Sequence, residues 1–172
     1  SSSSIMTSRS ESCCISHRIP PPRTVIGRSN AALVSEAFTL LGANPSTRIG
    51  LLGEFSCDEY EKVCKEVLEL LPAFGRAARF RFNGVWYDGW DEFRRDVEDR
   101  EMPYGTHLCL LAKYGPERDP EGEVLPVESS MLPELITVFR DRVLERRLPP
   151  QECDVLLTTI HKAKGLEWPQ VR

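Results

Sequence analysis

The sequence lacks the features of a secreted, membrane-spanning or zinc-binding protein. Six cysteines occur, but no two have C-x-x-C spacing, and no group of cysteines and histidines has the spacing of zinc ligands. No apolar run approaches the ~20 residues of a membrane-spanning helix. The first residues contain no apolar core of a secretory signal. We therefore expect free thiols, no bound metal and no membrane partner.

An excess of positive charge is also missing. The net charge is -4 and the isoelectric point is about 5.5, so the chain is not a globally basic nucleic-acid-binding protein. Any nucleic-acid site must be a local basic patch on an acidic body. The 172 residues suffice for one domain, or for one domain with a small second one.

The start of the ordered chain has the pattern of an α/β unit. Residues 1–22 contain few large apolar side chains and end in three prolines, so we expect a disordered lead-in. Residues 24–27 predict a buried strand, and a helix follows over 31–41 with Asn30 as its N-cap and Gly42 after its end. A strand that feeds a helix through a polar turn is the repeating unit of an α/β sheet.

The middle of the chain, 46–151, is predicted to be mostly helical. A capping box at Ser56 opens one helix and Pro72 closes it, and further helices are expected over 88–100, 103–114 and 131–147. The segment 74–87 mixes arginines with aromatic residues, and its secondary structure stays open. It could form a stacking groove for single strands, or it could pack its aromatics inward and leave the arginines solvated.

A polar loop follows the last apolar run. Residues 155–157 have the continuous hydrophobicity of a parallel strand that is covered on both faces. Ligands of open α/β sheets bind beyond the carboxyl ends of such strands. Five residues there suit phosphate, and Glu167 can accept from sugar hydroxyls; the five are Thr158, Thr159, His161, Lys162 and Lys164. The alternative is a solvated loop whose lysines only maintain solubility.

Residues 159–168, TIHKAKGLEW, resemble motif V of the UvrD-like superfamily 1 DNA helicases, T-x-H-x-x-K-G-L-E-[FW], at every fixed position. Within this motif, the residues KAKGLEW are most similar to those of the F-box DNA helicase branch. Upstream, residues 25–31, VIGRSNA, resemble the strand and R-[ST]-N-A step of the second RecA-like domain. Family members insert an accessory subdomain between these two motifs. The resemblance therefore implies a partial RecA-like parallel sheet that carries a mostly α-helical insertion.

The resemblance also implies a role for each matching residue. Arg28 and Asn30 would lie along a single-stranded DNA track, and Thr159 and His161 would face DNA phosphates. Lys164 would link the DNA to the nucleotide. Gly165 and Glu167 would face ATP, with Glu167 on the ribose. The parent would be a nuclear, ATP-dependent 3′–5′ DNA helicase of repair and recombination, with Mg²⁺ and ATP held mainly by its first RecA-like domain.

The sequence departs from the family in its catalytic parts. It has no G-x-x-x-x-G-K-[ST], no Asp-Glu pair after an apolar strand, no arginines of motifs IV and VI and no F-box. We expect a helicase fragment that needs the missing first RecA-like domain to turn over ATP. Its expected parts are a lead-in (1–22), the start of the second RecA-like domain (23–45), the insertion (46–151) and the return with motif V (152–172).

A rival hypothesis is a non-enzymatic helical protein-interaction module that carries a remnant helicase motif. The acidic charge and the amphipathic middle of the chain support it. The two hypotheses differ in what they predict for the surface. A DNA-binding fragment should concentrate positive charge around Arg28, Asn30 and Lys164, whereas an interaction module should have an apolar groove on the insertion. Without the resemblance, composition indicates only a soluble intracellular protein.

Overall fold

The computed structural model describes residues 23–52 and 57–160. Within them, a three-stranded parallel sheet is formed by β1 (Arg23–Gly27), β2 (Ile49–Leu51) and β5 (Val155–Thr159), in the order β1-β5-β2. The central strand β5 is buried from Val155 to Thr158. The predicted mixed α/β fold, with a final apolar run that forms a buried parallel strand, is thereby confirmed at the level of a small parallel sheet with several helices.

Strand β2 joins this sheet although it lies inside the range 46–151 predicted for the insertion. Ile49 pairs with Val155 and Leu51 with Leu157. Just before the strand, the Arg48 Nη2 donates to Asp154 Oδ1 at 3.0 Å, and the Asp154 backbone N–H donates to the Arg48 carbonyl at 2.8 Å. These contacts fix the register of β2 on the central strand.

Helix α1 (Asn30–Ala43) follows β1 as predicted, but its cap is not Asn30. Ser29 has extended backbone angles, and its hydroxyl accepts the backbone N–H of Ala32 at 3.2 Å. Because Asn30 is already helical, its side chain is free to bond elsewhere. The helix also continues one residue past Gly42, and Asn44 is its C-cap.

The predicted helices of the middle segment are present in the described residues. They are α2 (Cys57–Leu70), α3 (Trp90–Asp99), α4 (Gly105–Tyr114) and α5 (Leu132–Phe139), and a π-helical turn (Arg140–Leu144) continues α5. A 3₁₀ turn that contains Pro72 follows α2. The proposed cap at Ser56 lies outside the described residues.

The segment left open by the sequence, 74–87, contains a β-hairpin. Strands β3 (Phe80–Phe82) and β4 (Val85–Tyr87) are antiparallel and joined by Asn83 and Gly84. Both turn residues have positive φ, 46° and 81°. Asn-Gly is the pair that favours this two-residue hairpin turn, so the sequence did carry the signal.

The helices and the sheet share one apolar core. Phe38 of α1 packs edge-on against Phe139 of α5, with ring centroids 5.8 Å apart. Further out, Phe93 of α3 is fully buried and contacts Phe82 and Tyr87 of the hairpin at 5.6 and 5.0 Å. An aromatic cluster therefore holds the hairpin in place against the helices.

The remaining features concern surface and thiol chemistry. In the described part of the chain, no helix has the length and apolar character needed to cross a membrane. The four cysteines there are free thiols: Cys57, Cys64, Cys109 and Cys153. Burial raises the pKa of the Cys64 thiol to about 12, so this cysteine is an inert filler.

Candidate functional site at the carboxyl edge of the sheet

The ends of β1 and β5 lie side by side. Their parallel register pairs Ile26 with Thr158 and Gly27 with Thr159. Arg28 therefore leaves β1 at the same edge where the chain leaves β5. Arg28 is exposed and Thr159 is partly exposed, so two of the residues expected to contact DNA are brought together by the sheet.

The N-terminus of α1 opens at this edge. Its first turn contains no acidic residue, and Ser29 caps it. The unpaired N–H groups and the dipole of a helix N-terminus favour an anion. Beside an exposed guanidinium on Arg28, this arrangement suits a phosphate group.

Gly27 is required at the end of β1, which sequence reasoning did not identify. A Cβ at this position would lie 2.7 Å from Cδ2 and 2.8 Å from Cγ of Leu33, a fully buried side chain of α1. The absence of a side chain thus allows α1 to approach the strand closely. The sequence signal for this role is the position of the glycine, between a predicted strand and the polar residues 28–30.

Asn30 is engaged by a carboxylate that the sequence did not reveal. Its Nδ2 donates to Glu59 Oε2 of α2 at 3.0 Å. The bond is exposed to solvent, so it can be exchanged for a bond to a ligand. Glu59 also places negative charge at the edge, which opposes the positive charge of Arg28.

The two threonines at the end of β5 have different environments. Thr158 is fully buried, and its hydroxyl donates to the Thr159 carbonyl at 3.3 Å. Thr158 therefore faces the interior, which corrects its inclusion among the ligand-facing residues. Thr159 keeps a partly exposed position at the edge.

The remaining residues of the motif lie outside the described residues: His161, Lys162, Lys164, Gly165 and Glu167. The described chain ends at Ile160, whose side chain is 37% exposed. Within the described ranges, no cluster of three or more histidine, cysteine, aspartate or glutamate side chains could hold a metal ion.

A groove lies between α2 and α5, with a volume of about 740 Å³. Cys64, Leu68 and Ile136 form its apolar floor, and the six other lining residues are charged. The groove therefore combines an apolar floor with a charged rim.

A buried polar pair lies where α2, α4 and the hairpin meet. His107 is 3% exposed, and its Nε2 lies 3.8 Å from Glu66 Oε1. Asn83 of the hairpin turn donates to Glu66 Oε2 at 3.2 Å and to the Tyr104 hydroxyl at 2.6 Å. Burial lowers the pKa of His107, although Glu66 opposes this shift. Burial therefore favours the neutral form of the His107 imidazole.

No protein family model, curated protein or solved structure matches this chain. The functional argument therefore depends on the motif residues and on the geometry of the edge that carries them.

Proposed function

We propose that this chain is part of the second RecA-like domain of a UvrD-like DNA helicase, most similar to the F-box branch. It contributes contacts to single-stranded DNA and part of the ATP site. One observation carries the proposal. The motif of residues 159–168 begins at the carboxyl end of the buried central strand, directly beside the R-S-N-A step that follows β1.

The carboxyl edge of the sheet carries groups that can bind the phosphates of a DNA backbone. Arg28 supplies an exposed charge, Thr159 a hydroxyl and α1 a helix N-terminus without acidic residues in its first turn. Such groups bind phosphate and do not distinguish bases. A helicase track requires contacts of this kind, because the enzyme must move along any sequence.

The resemblance implies that the nucleotide is the second ligand of the same motif. In the intact helicase, Lys164 couples the two ligands, and Gly165 and Glu167 face ATP. The Mg²⁺ and the triphosphate are held mainly by the first RecA-like domain, which is the partner this proposal requires. Closure of the two domains on ATP would then move the bound strand, in the nucleus if the F-box resemblance holds.

Binding is tested by the fluorescence anisotropy of labelled oligo-dT at low and moderate salt. Arg28→Ala and the double variant His161→Ala, Lys164→Ala should weaken binding. Removing one phosphate interaction should also reduce the slope of log K against log salt by about 0.7. Arg146→Ala removes the same charge from an exposed position elsewhere and serves as the matched control.

Glu59 provides a test in the opposite direction. Glu59→Gln removes the negative charge of the carboxylate that accepts from Asn30, so it should strengthen oligo-dT binding and leave the fold unchanged. Binding that is equal in the wild type, the edge variants and Arg146→Ala would exclude this edge as the contact.

The alternative is a non-enzymatic interaction module, and the groove between α2 and α5 is the observation that favours it. Its apolar floor and charged rim together suit a partner segment that carries both apolar and charged side chains. A folded chain that binds no oligo-dT at low salt would support this alternative over the helicase fragment.

A further inference from the structure

The hairpin presents a tryptophan to solvent. In β3 and β4, Phe82 and Tyr87 point inward and are 3% and 4% exposed, whereas Trp86 is 54% exposed. Side chains alternate between the two faces of a strand, and Arg81 is the cross-strand partner of Trp86. An indole and a guanidinium therefore share the outer face of the hairpin.

A second arginine contacts the same indole. The Cζ atom of Arg79 lies 4.6 Å from the centroid of the Trp86 ring. Arg79 also lies near Asp88, with Nε and Oδ1 3.8 Å apart, but both side chains are largely exposed, so water and salt screen this pair. Within the described part of the chain, Arg81 makes no ion pair.

The segment that forms the hairpin is itself basic. No acidic residue occurs between Glu69 and Asp88, and this stretch contains Arg76, Arg79 and Arg81 in a protein of net charge -4. In space, both signs of charge line the depression beside Trp86, namely Arg95 and Arg100 with Glu92, Asp96 and Asp99. Some of these carboxylates are already bound within the protein. Asp96, for example, accepts from Arg100 at 2.8 Å and from the Tyr87 hydroxyl at 3.2 Å.

The hairpin is held rigidly by its inner face. Phe82 and Tyr87 pack edge-on against the buried Phe93, and Phe80 stacks on Tyr87 at 5.5 Å. The outer face is therefore oriented before any ligand arrives. Such preorganisation reduces the entropy lost on binding.

We propose that Trp86, Arg79 and Arg81 form a stacking platform for single-stranded nucleic acid. A base stacks on the indole in place of the Arg79 guanidinium, and Arg79 and Arg81 then pair with the adjacent phosphates. Aromatic and basic groups combined in this way bind single strands with little sequence preference. The platform goes beyond the proposed function, because none of its residues belongs to the sheet edge or to the motif loop.

The test is oligo-dT binding by the full chain, measured by anisotropy and by tryptophan emission. Trp86→Ala should weaken binding roughly 5- to 150-fold, the range for loss of one stacked base. Trp86→Phe should keep most of the affinity because it retains an aromatic face. It should lose the part of the emission quenching that comes from Trp86, while Trp90 and Trp168 remain as reporters. Because Trp86 is exposed, neither change should affect folding, which far-UV circular dichroism verifies.

The arginines are tested separately. Arg79→Gln with Arg81→Gln should weaken binding and lower its salt dependence. Arg146→Gln with Arg142→Gln removes the same charge elsewhere and should not. Equal effects of the two double variants would mean that Arg79 and Arg81 act only through the net charge of the protein. That result would overturn the platform.

The outcomes separate this platform from the sheet edge. Weakening by Trp86→Ala with no effect of Arg28→Ala would support the platform and exclude the edge. Weakening by Arg28→Ala with no effect of Trp86→Ala would overturn the platform and leave the proposed function standing. A chain that binds a protein through Trp86 but no oligo-dT would also overturn the platform.

Discussion

Gly50 provides the sharpest test of how β2 packs on the central strand. An alanine Cβ at this position would overlap the Sγ of Cys153, and would lie 3.1 Å from Leu156 Cδ2 and 3.2 Å from the Leu148 carbonyl. The φ angle of Gly50 is not among the positive ones, so the strand backbone itself accepts alanine. The cost of Gly50→Ala must therefore come from packing alone.

The magnitude follows from these neighbours. Inserting a methyl group into a packed core costs about 1–3 kcal/mol, and the upper half of that range is expected here because the Leu148 carbonyl belongs to the backbone. Cys153→Ala removes one buried heavy atom and should cost about 1 kcal/mol. In the double variant, the new methyl occupies the volume that the sulfur vacates. The double variant should therefore be more stable than the sum of the single effects by about 1–2 kcal/mol.

Urea unfolding followed by far-UV circular dichroism measures this cycle. Gly42→Ala is the matched control, because no atom lies within 4 Å of its new Cβ and it should be neutral or stabilising by up to about 1 kcal/mol. Additive effects of Gly50→Ala and Cys153→Ala would mean that the two residues do not touch. That result would refute the placement of β2 beside β5.

Three further predictions concern the helices and the aromatic cluster. Phe93→Ala should destabilise the fold by about 3–5 kcal/mol, because it empties the centre of the aromatic cluster; urea unfolding measures the loss. Ser29→Ala should cost about 1 kcal/mol, since it removes the acceptor for the Ala32 N–H, and Ser29→Gly should recover most of it. Burial lowers the pKa of His107 below its ordinary 6.5, so the unfolded chain binds the proton more readily. Stability should therefore fall as pH drops from about 6.5 toward that lowered pKa, and His107→Gln should flatten this part of the stability–pH curve.

The sequence predicted those elements whose signals are local. The apolar spacing in α2 and α3 and the continuous apolar run in β5 each identify an element without reference to the rest of the chain. The cap of α1 was wrong by one residue because Ser29 and Asn30 are both good caps, and only the backbone angles separate them. The hairpin stayed open because three-residue strands are too short to show a period.

The candidate site likewise has features that the sequence could predict and features that it could not. That Arg28 and Thr159 share an edge follows from the rule that parallel strands end together, so it could be anticipated. The bond from Asn30 to Glu59 could not, because it depends on how α2 packs beside α1. The sequence also did not predict that β2 belongs to the parallel sheet. Its partner strand β5 lies about a hundred residues away in the chain, and a strand of three residues shows no clear pattern.

The location of a bound strand tests the central claim most directly. An oligo-dT with photoreactive thymines is cross-linked to the full chain, and the adducts are mapped by tandem mass spectrometry. We predict adducts in residues 27–30 and 159–168, and their loss when unlabelled oligo-dT competes. Adducts that avoid both segments, in a chain that binds the strand, would contradict the assignment of the sheet edge as the DNA contact.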